Sequence, residues 1–143
     1  HNKAVRATKS IAMDKNVLAI VLFGSVAKGR VNAESDIDLL VVTTEETDLT
    51  GLLYSAMAEV DAPIEGLTVS LKQLLVNLLE EPPTTFFGIL EAYEVLYDKF
   101  KVVEGLLRLK QIEIQKSWLY DPGEEIWLKR RSLPYSKQPE TSS

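Results

Sequence analysis

The run from Leu22 to Val42, LFGSVAKGRVNAESDIDLLVV, sets two aspartates one residue apart inside a segment otherwise fit for a buried strand. Alternate residues of a strand share a face, so Asp36 and Asp38 point the same way, about 6.5–7 Å apart along the chain. Ile37, Leu39 and Val41 then pack on the opposite side. Two like charges beside a core disfavour each other's ionisation, and burial adds to that cost unless a cation sits between them. A divalent ion such as Mg²⁺ removes the conflict. It binds carboxylate oxygens and keeps positions open for water and substrate phosphates. The plainer reading has Ser35-Asp36 capping the strand entrance and Asp38 in solvent on an edge strand, and it leaves the preceding segment unexplained.

That segment, LFGS, puts Gly24 at the end of a strand, where the backbone can approach a ligand closely. Ser25 adds a hydroxyl, and the amides that open a short helix from Val26 to Lys28 turn their positive ends to the same place. A phosphate cradle and a metal-binding carboxylate pair, ten residues apart, are what a triphosphate with its Mg²⁺ requires.

Composition removes other chemistries. With no cysteine, disulfides, thiolate metal sites and thiol nucleophiles are excluded together. The single histidine is His1, expected to be a frayed end rather than a ligand. A length of 143 residues with 45% hydrophobic and 26% charged side chains suits one soluble domain. No stretch reaches the length of a membrane span and the first residues lack a signal-peptide core, so a cytoplasmic location without membrane contact is the expectation. Residues 1–100 carry 8 basic and 15 acidic side chains, the rest 8 and 6. Such an acidic body repels bare phosphates, and bound cations must offset it.

Periodicity predicts a helix over 3–15 with Val5, Ile11 and Ala12 inward, a strand in NVLAIVLF, a second strand in SDIDLLVVT, and a helix in LLYSAMAEV with Leu52, Leu53, Ala56 and Val60 on one side. PIEGLTVS is expected as a third strand, at or near an edge because Gly66 weakens it. LKQLLVNLLEE is a helix stopped by Pro82 and Pro83. FFGILEAYEVLYD is apolar at helical spacing through Phe86, Phe87, Leu90, Tyr93 and Leu96, and FKVVEGLLRLKQIEIQKSWL makes a further long helix. An irregular tail follows, punctuated by Pro122, Gly123, Pro134 and Pro139.

Gly24-Ser25, ten residues, then Asp36-Ile37-Asp38 resembles the signature of the minimal nucleotidyltransferases, a branch of the DNA polymerase beta-like superfamily. AIVLF before it, Ala27 and Gly29 within it, Ser35 before the first aspartate and LLVV after the second fit the same pattern. The likeness is strong over 17–43 and extends weakly to about residue 100. It implies an α/β (α+β) fold: a small mixed sheet, its first two strands neighbours, with helices on one face. Residues 1–100 would form the nucleotidyltransferase domain. Residues 101–143 would add a helix and irregular tail, docked on that domain or forming a subunit contact as in a homodimer. Val103, Leu106, Leu107 and Ile114 would supply its stripe, and Trp118 and Trp127 its largest buried areas.

The resemblance further implies transfer of a nucleoside monophosphate from a nucleoside triphosphate, ATP by preference, to a hydroxyl acceptor. Mg²⁺ or Mn²⁺ would be held by Asp36, Asp38 and a third carboxylate, with the phosphates on Gly24, Ser25 and Ser35. Many relatives carry arginine after Gly-Ser where this chain has Val26; Lys28 and Arg30 are the basic residues at hand. For the third carboxylate Glu65 is preferred, as general base and metal ligand, with Asp61 as competitor. A rival class is a binding module that keeps the cradle without catalysis, the antitoxin-like half of a pair with a small helical HEPN-type protein. Some minimal nucleotidyltransferases adenylylate such partners. A nucleic-acid binder would rest on Lys129-Arg130-Arg131 alone and is not the expected class.

Overall fold

The computed structural model of the chain describes residues 2–29, 36–79, 84–121, 123 and 126–129. Helix α1 (Asn2–Ile11) leads into β1 (Val17–Phe23), the single-turn α2 (Gly24–Ala27) and β2 (Ile37–Thr43). Then come α3 (Thr50–Val60), β3 (Ile64–Ser70), α4 (Leu71–Leu79), α5 (Thr84–Glu91), β4 (Glu94–Asp98) and α6 (Val103–Ser117). A hairpin of β5 (Trp118–Asp121) and β6 (Ile126–Lys129) follows.

The four-stranded sheet has the order β3-β2-β1-β4, so β3 stands at the edge that Gly66 suggested. β1 runs antiparallel to both β2 and β4, whereas β2 and β3 are parallel, which makes the sheet mixed. The α+β architecture is the expected one. Its helices, however, cover both faces rather than one. β1 and β2 read VLAIVL and LLVV, apolar at every position, and a strand of that kind needs cover on each side. On one face α1 and α3 pack on Val17, Ile20, Leu22, Leu39 and Val41. On the other, residues of α4, α5 and α6 pack on Ala19, Val21, Leu40 and Val42.

Local departures have local causes. α1 buries Ala4, Ala7, Thr8 and Ile11, and Val5 and Ala12 only flank that line. A Cβ on Gly66 would lie 2.8 Å from Leu53 Cδ1, so this glycine lets α3 sit close to the edge strand. The expected helix FFGILEAYEVLYD is divided: it ends at Glu91, and EVLYD becomes β4, pairing with β1 from Leu22↔Glu94 to Ala19↔Asp98. β4 is partly buried from both sides, with Val95 packed against one core and Leu96 and Tyr97 against the other, so its apolar residues do not alternate. α6 buries Val103, Leu107 and Ile114 in the same core as the strands, with Leu106 packed against it. Trp118 lies on β5, where the end of the long helix was expected, and Trp127 on the paired β6, where an irregular tail was expected; the expectation for their side chains lies outside the described residues. Among the described residues no helix is long and apolar enough to cross a membrane.

Candidate active site

The geometry begins at the end of β1. Phe23 stands opposite Asp38 in the β1–β2 register, and the chain turns directly afterwards through Gly24 at φ +72°. A Cβ on Gly24 would lie 2.1 Å from Asp38 Oδ2 and 2.9 Å from its Cγ. Glycine is therefore required twice, by the left-handed backbone and by the carboxylate lying over its α carbon. α2 starts here from an extended Phe23, and no side-chain hydrogen bond caps its first turn among the described residues. Lys28 N–H donates to Gly24 O and Gly29 N–H to Val26 O, both at 3.1 Å, and Gly29 at φ +76° ends the turn.

β3 brings the next acid. In the parallel β2–β3 register Asp38 is paired with Glu65, so both carboxylates leave the sheet on the same face. That face carries Leu40 and Val42 further along β2, and Leu67 and Val69 along β3. Asp38 is half-buried while Asp36 and Glu65 are exposed. Burial pushes the Asp38 carboxyl above its ordinary range, and the charges of Glu65 and then Asp36 push it further.

Asp61 is placed otherwise. It closes α3 in the left-handed conformation (φ 52°, ψ 50°), and its carbonyl accepts a 3.3 Å bond from Lys3 Nζ. It is a turn residue in this fold, and the charges acting on Asp38 are Glu65 and Asp36. Among the described residues no group of three His, Cys, Asp or Glu side chains forms a ready-made metal cage. The donor set nevertheless fits a hard divalent cation. Asp36 and Asp38 offer oxygen ligands whose mutual repulsion such an ion relieves, leaving positions for water and phosphate oxygens. Asp38 is half-buried, and the charges of Glu65 and Asp36 act on its carboxyl, a repulsion that such an ion would relieve.

Lys28 is engaged. Its Nζ lies 2.9 Å from Glu91 Oε2 at the end of α5. Sequence reasoning missed Glu91, because a glutamate among the apolar positions of a helix reads as a solvated side chain. Ser25 lies in α2, its side chain outside the described residues, as are Arg30 and Ser35. A cleft of about 750 Å³ lies at the opposite ends of β2 and β3, lined by Thr44, Glu45, Ser70, Lys72 and Gln73 among others. It contains none of these carboxylates. The candidate site is instead the place where Gly24 and Asp38 meet, with Glu65 in register beside them.

A mixed sheet with a glycine turn against Asp38 of the next strand, and Glu65 of the strand beyond in register with it, is the frame of a nucleotidyltransferase-like domain. The family model "Polymerase beta, Nucleotidyltransferase" matches residues 6–101, and the chain belongs to that family. Among curated proteins none matches it significantly. Solved structures share the fold at low identity. A toxin–antitoxin with AMP-PNP is similar with a TM-score of 0.53 and 18% identity, over 80% of this chain and 86% of that one. A mutant of the toxin–antitoxin MntA-HpeT gives 0.52 and 17% over the same shares.

Proposed function

We propose that this nucleotidyltransferase domain transfers a nucleoside monophosphate, AMP by preference, from a triphosphate to a hydroxyl on a protein acceptor. The observation that carries the proposal is the Asp38 carboxylate seated over the α carbon of Gly24, with Glu65 in register beside it. The backbone read as phosphate-binding and the carboxylates read as ligands would thereby serve one substrate. Asp36 and Asp38 would hold Mg²⁺ or Mn²⁺, with Glu65 as the third carboxylate. When bound, the metal neutralises the triphosphate and lowers the pKa of the acceptor hydroxyl.

The chain's own groups do the rest. Amides of Gly24 and the α2 turn, with Ser25 and Ser35, would hold the phosphates as fixed dipoles, with Lys28 and Arg30 supplying positive charge. Glu65, exposed at the rim, would accept the proton of the attacking hydroxyl. The acceptor oxygen forms a bond to the α-phosphorus, the bond to the bridging oxygen breaks, and pyrophosphate leaves. The acceptor is proposed to be the small helical HEPN-type protein that the sequence resemblance implies; that the similar folds are those of toxin–antitoxin structures, one of them with AMP-PNP, supports a paired protein as acceptor. A cytoplasmic setting belongs to the same proposal.

A second reading, binding without transfer, has one observation in its favour: Lys28 is held by Glu91. Incubation with α-labelled ATP, Mg²⁺ and a lysate of the source cells separates the two. Transfer predicts a labelled protein band that disappears with Asp38→Asn; a binding module predicts ATP binding and no band.

A further inference from the structure

Lys28 is the cation that the described Gly24–Gly29 turn offers to a phosphate, and a carboxylate already occupies it. The Lys28 Nζ–Glu91 Oε2 distance is 2.9 Å, and each side chain is only 25% exposed. The pair joins distant parts of the chain, since Lys28 closes α2 and Glu91 closes α5. Glu91 is firmly seated. Next to it, Ile89 and Leu90 are buried in the core, and the Leu90 carbonyl accepts a 2.8 Å bond from Gln111 Nε2 on α6. In this way α6 holds the end of α5, and the end of α5 holds the ammonium of Lys28.

An ammonium is a compact charge on a flexible stem, so it can be drawn to one anion at the expense of another. We propose that Glu91 is an affinity-setting latch: it draws Lys28 towards α5, and a polyphosphate must take the ammonium from it in order to bind. Glu91 is thus a positioning residue, acting on the ligand through Lys28. This rests on the reading of Gly24–Lys28 as a phosphate-binding segment. In the latch, Glu91 and the phosphate compete for one cation, and removal of the Glu91 charge favours the phosphate.

The test is titration of inorganic tripolyphosphate in the presence of Mg²⁺ by calorimetry at low salt, on the full chain and on Glu91→Gln, Lys28→Gln and the double variant, with ATP and Mg²⁺ as a second ligand for the unsubstituted chain. Glu91→Gln is expected to bind tripolyphosphate up to about fivefold tighter, the factor equivalent to the roughly 1 kcal/mol of a partly exposed ion pair. That gain should vanish in the Lys28→Gln background, which a merely structural role of Glu91 would not produce. If Glu91→Gln binds equally or more weakly while Lys28→Gln is impaired, the latch is overturned and the phosphate site stands. A gain from Glu91→Gln that persists without Lys28 also overturns it. If the unsubstituted chain binds neither tripolyphosphate nor ATP, the phosphate-binding reading falls, and the latch with it.

Discussion

The two faces of the sheet are built from the same strands and used differently. On the α1–α3 face β2 presents Ile37, Leu39 and Val41, and the layer is apolar but for the buried Thr8 of α1. Its rim is closed by polar contacts from α1 to the end of α3: Arg6 donates to the Glu59 carbonyl at 3.1 Å, Lys3 to that of Asp61, and the Ser10 hydroxyl to the Glu59 carboxylate. The two cations satisfy carbonyls at the end of the helix. On the other face the apolar line of Leu40 and Val42 gives way, towards the start of β2, to Asp38. Asp38 is charged, half-buried and pressed on a glycine. Both faces bury a core, and one of them also carries the carboxylates that the proposed chemistry needs.

The comparison is broken most severely by cutting into the sealed face. Leu39 is fully buried, and Leu39→Ala should cost about 2–5 kcal/mol, read from urea midpoints, while the folded fraction keeps its nucleotide affinity. A loss of affinity larger than the loss of stability would show that the faces are not independent. Gly24→Ala comes next. Its Cβ would collide with the Asp38 carboxylate in a backbone conformation that alanine resists, so about 1–3 kcal/mol of stability should go, and nucleotide binding should fall below detection. Arg6→Ala removes one bond at the end of α3 and should lower stability by about 0.3–1 kcal/mol with binding untouched.

The smallest effect is the pH dependence of Asp38. Its folded carboxyl titrates above the ordinary value, so the fold binds that proton more tightly than the unfolded chain does. Asp38 therefore favours folding most in acid, and that contribution is lost as pH rises through its raised value. Without divalent metal, the melting temperature of Asp38→Asn minus that of the unsubstituted chain should grow from acid towards neutral pH. The change should be no more than a few degrees, roughly, because the group is partly solvated. A difference that shrinks with rising pH would contradict the assignment of cause.

What was legible in the sequence follows from where local pattern and tertiary demand agree. The long apolar runs of β1 and β2, the helix α3 and the weak edge strand β3 announce themselves, and so does the glycine–carboxylate juxtaposition, because its spacing is set along the chain. β4 was hidden. EVLYD continues the helical spacing of the segment before it, and pairing with β1, some seventy residues earlier, decides its conformation. The hairpin of β5 and β6 did have a signal, WLYD and IWLK around Asp121-Pro122-Gly123, outweighed by the number of prolines that follow. Glu91 had none, since only the fold brings the end of α5 to Lys28.

The central claim is that Asp36 and Asp38 serve ligand binding and not folding. It is tested most directly by thermal melts of the unsubstituted chain and of Asp36→Asn/Asp38→Asn, each with and without Mg²⁺ and ATP. Asparagine keeps the shape and removes two like charges, so without ligand the double variant should melt at the same temperature or higher. Ligand that binds only the native state stabilises it by mass action, about 2.7 kcal/mol at a hundred times Kd, so the unsubstituted chain should melt several degrees higher with Mg²⁺ and ATP. The double variant should show no such shift. If instead it is strongly destabilised on its own and keeps the full shift with Mg²⁺ and ATP, the aspartates are structural and the account is contradicted.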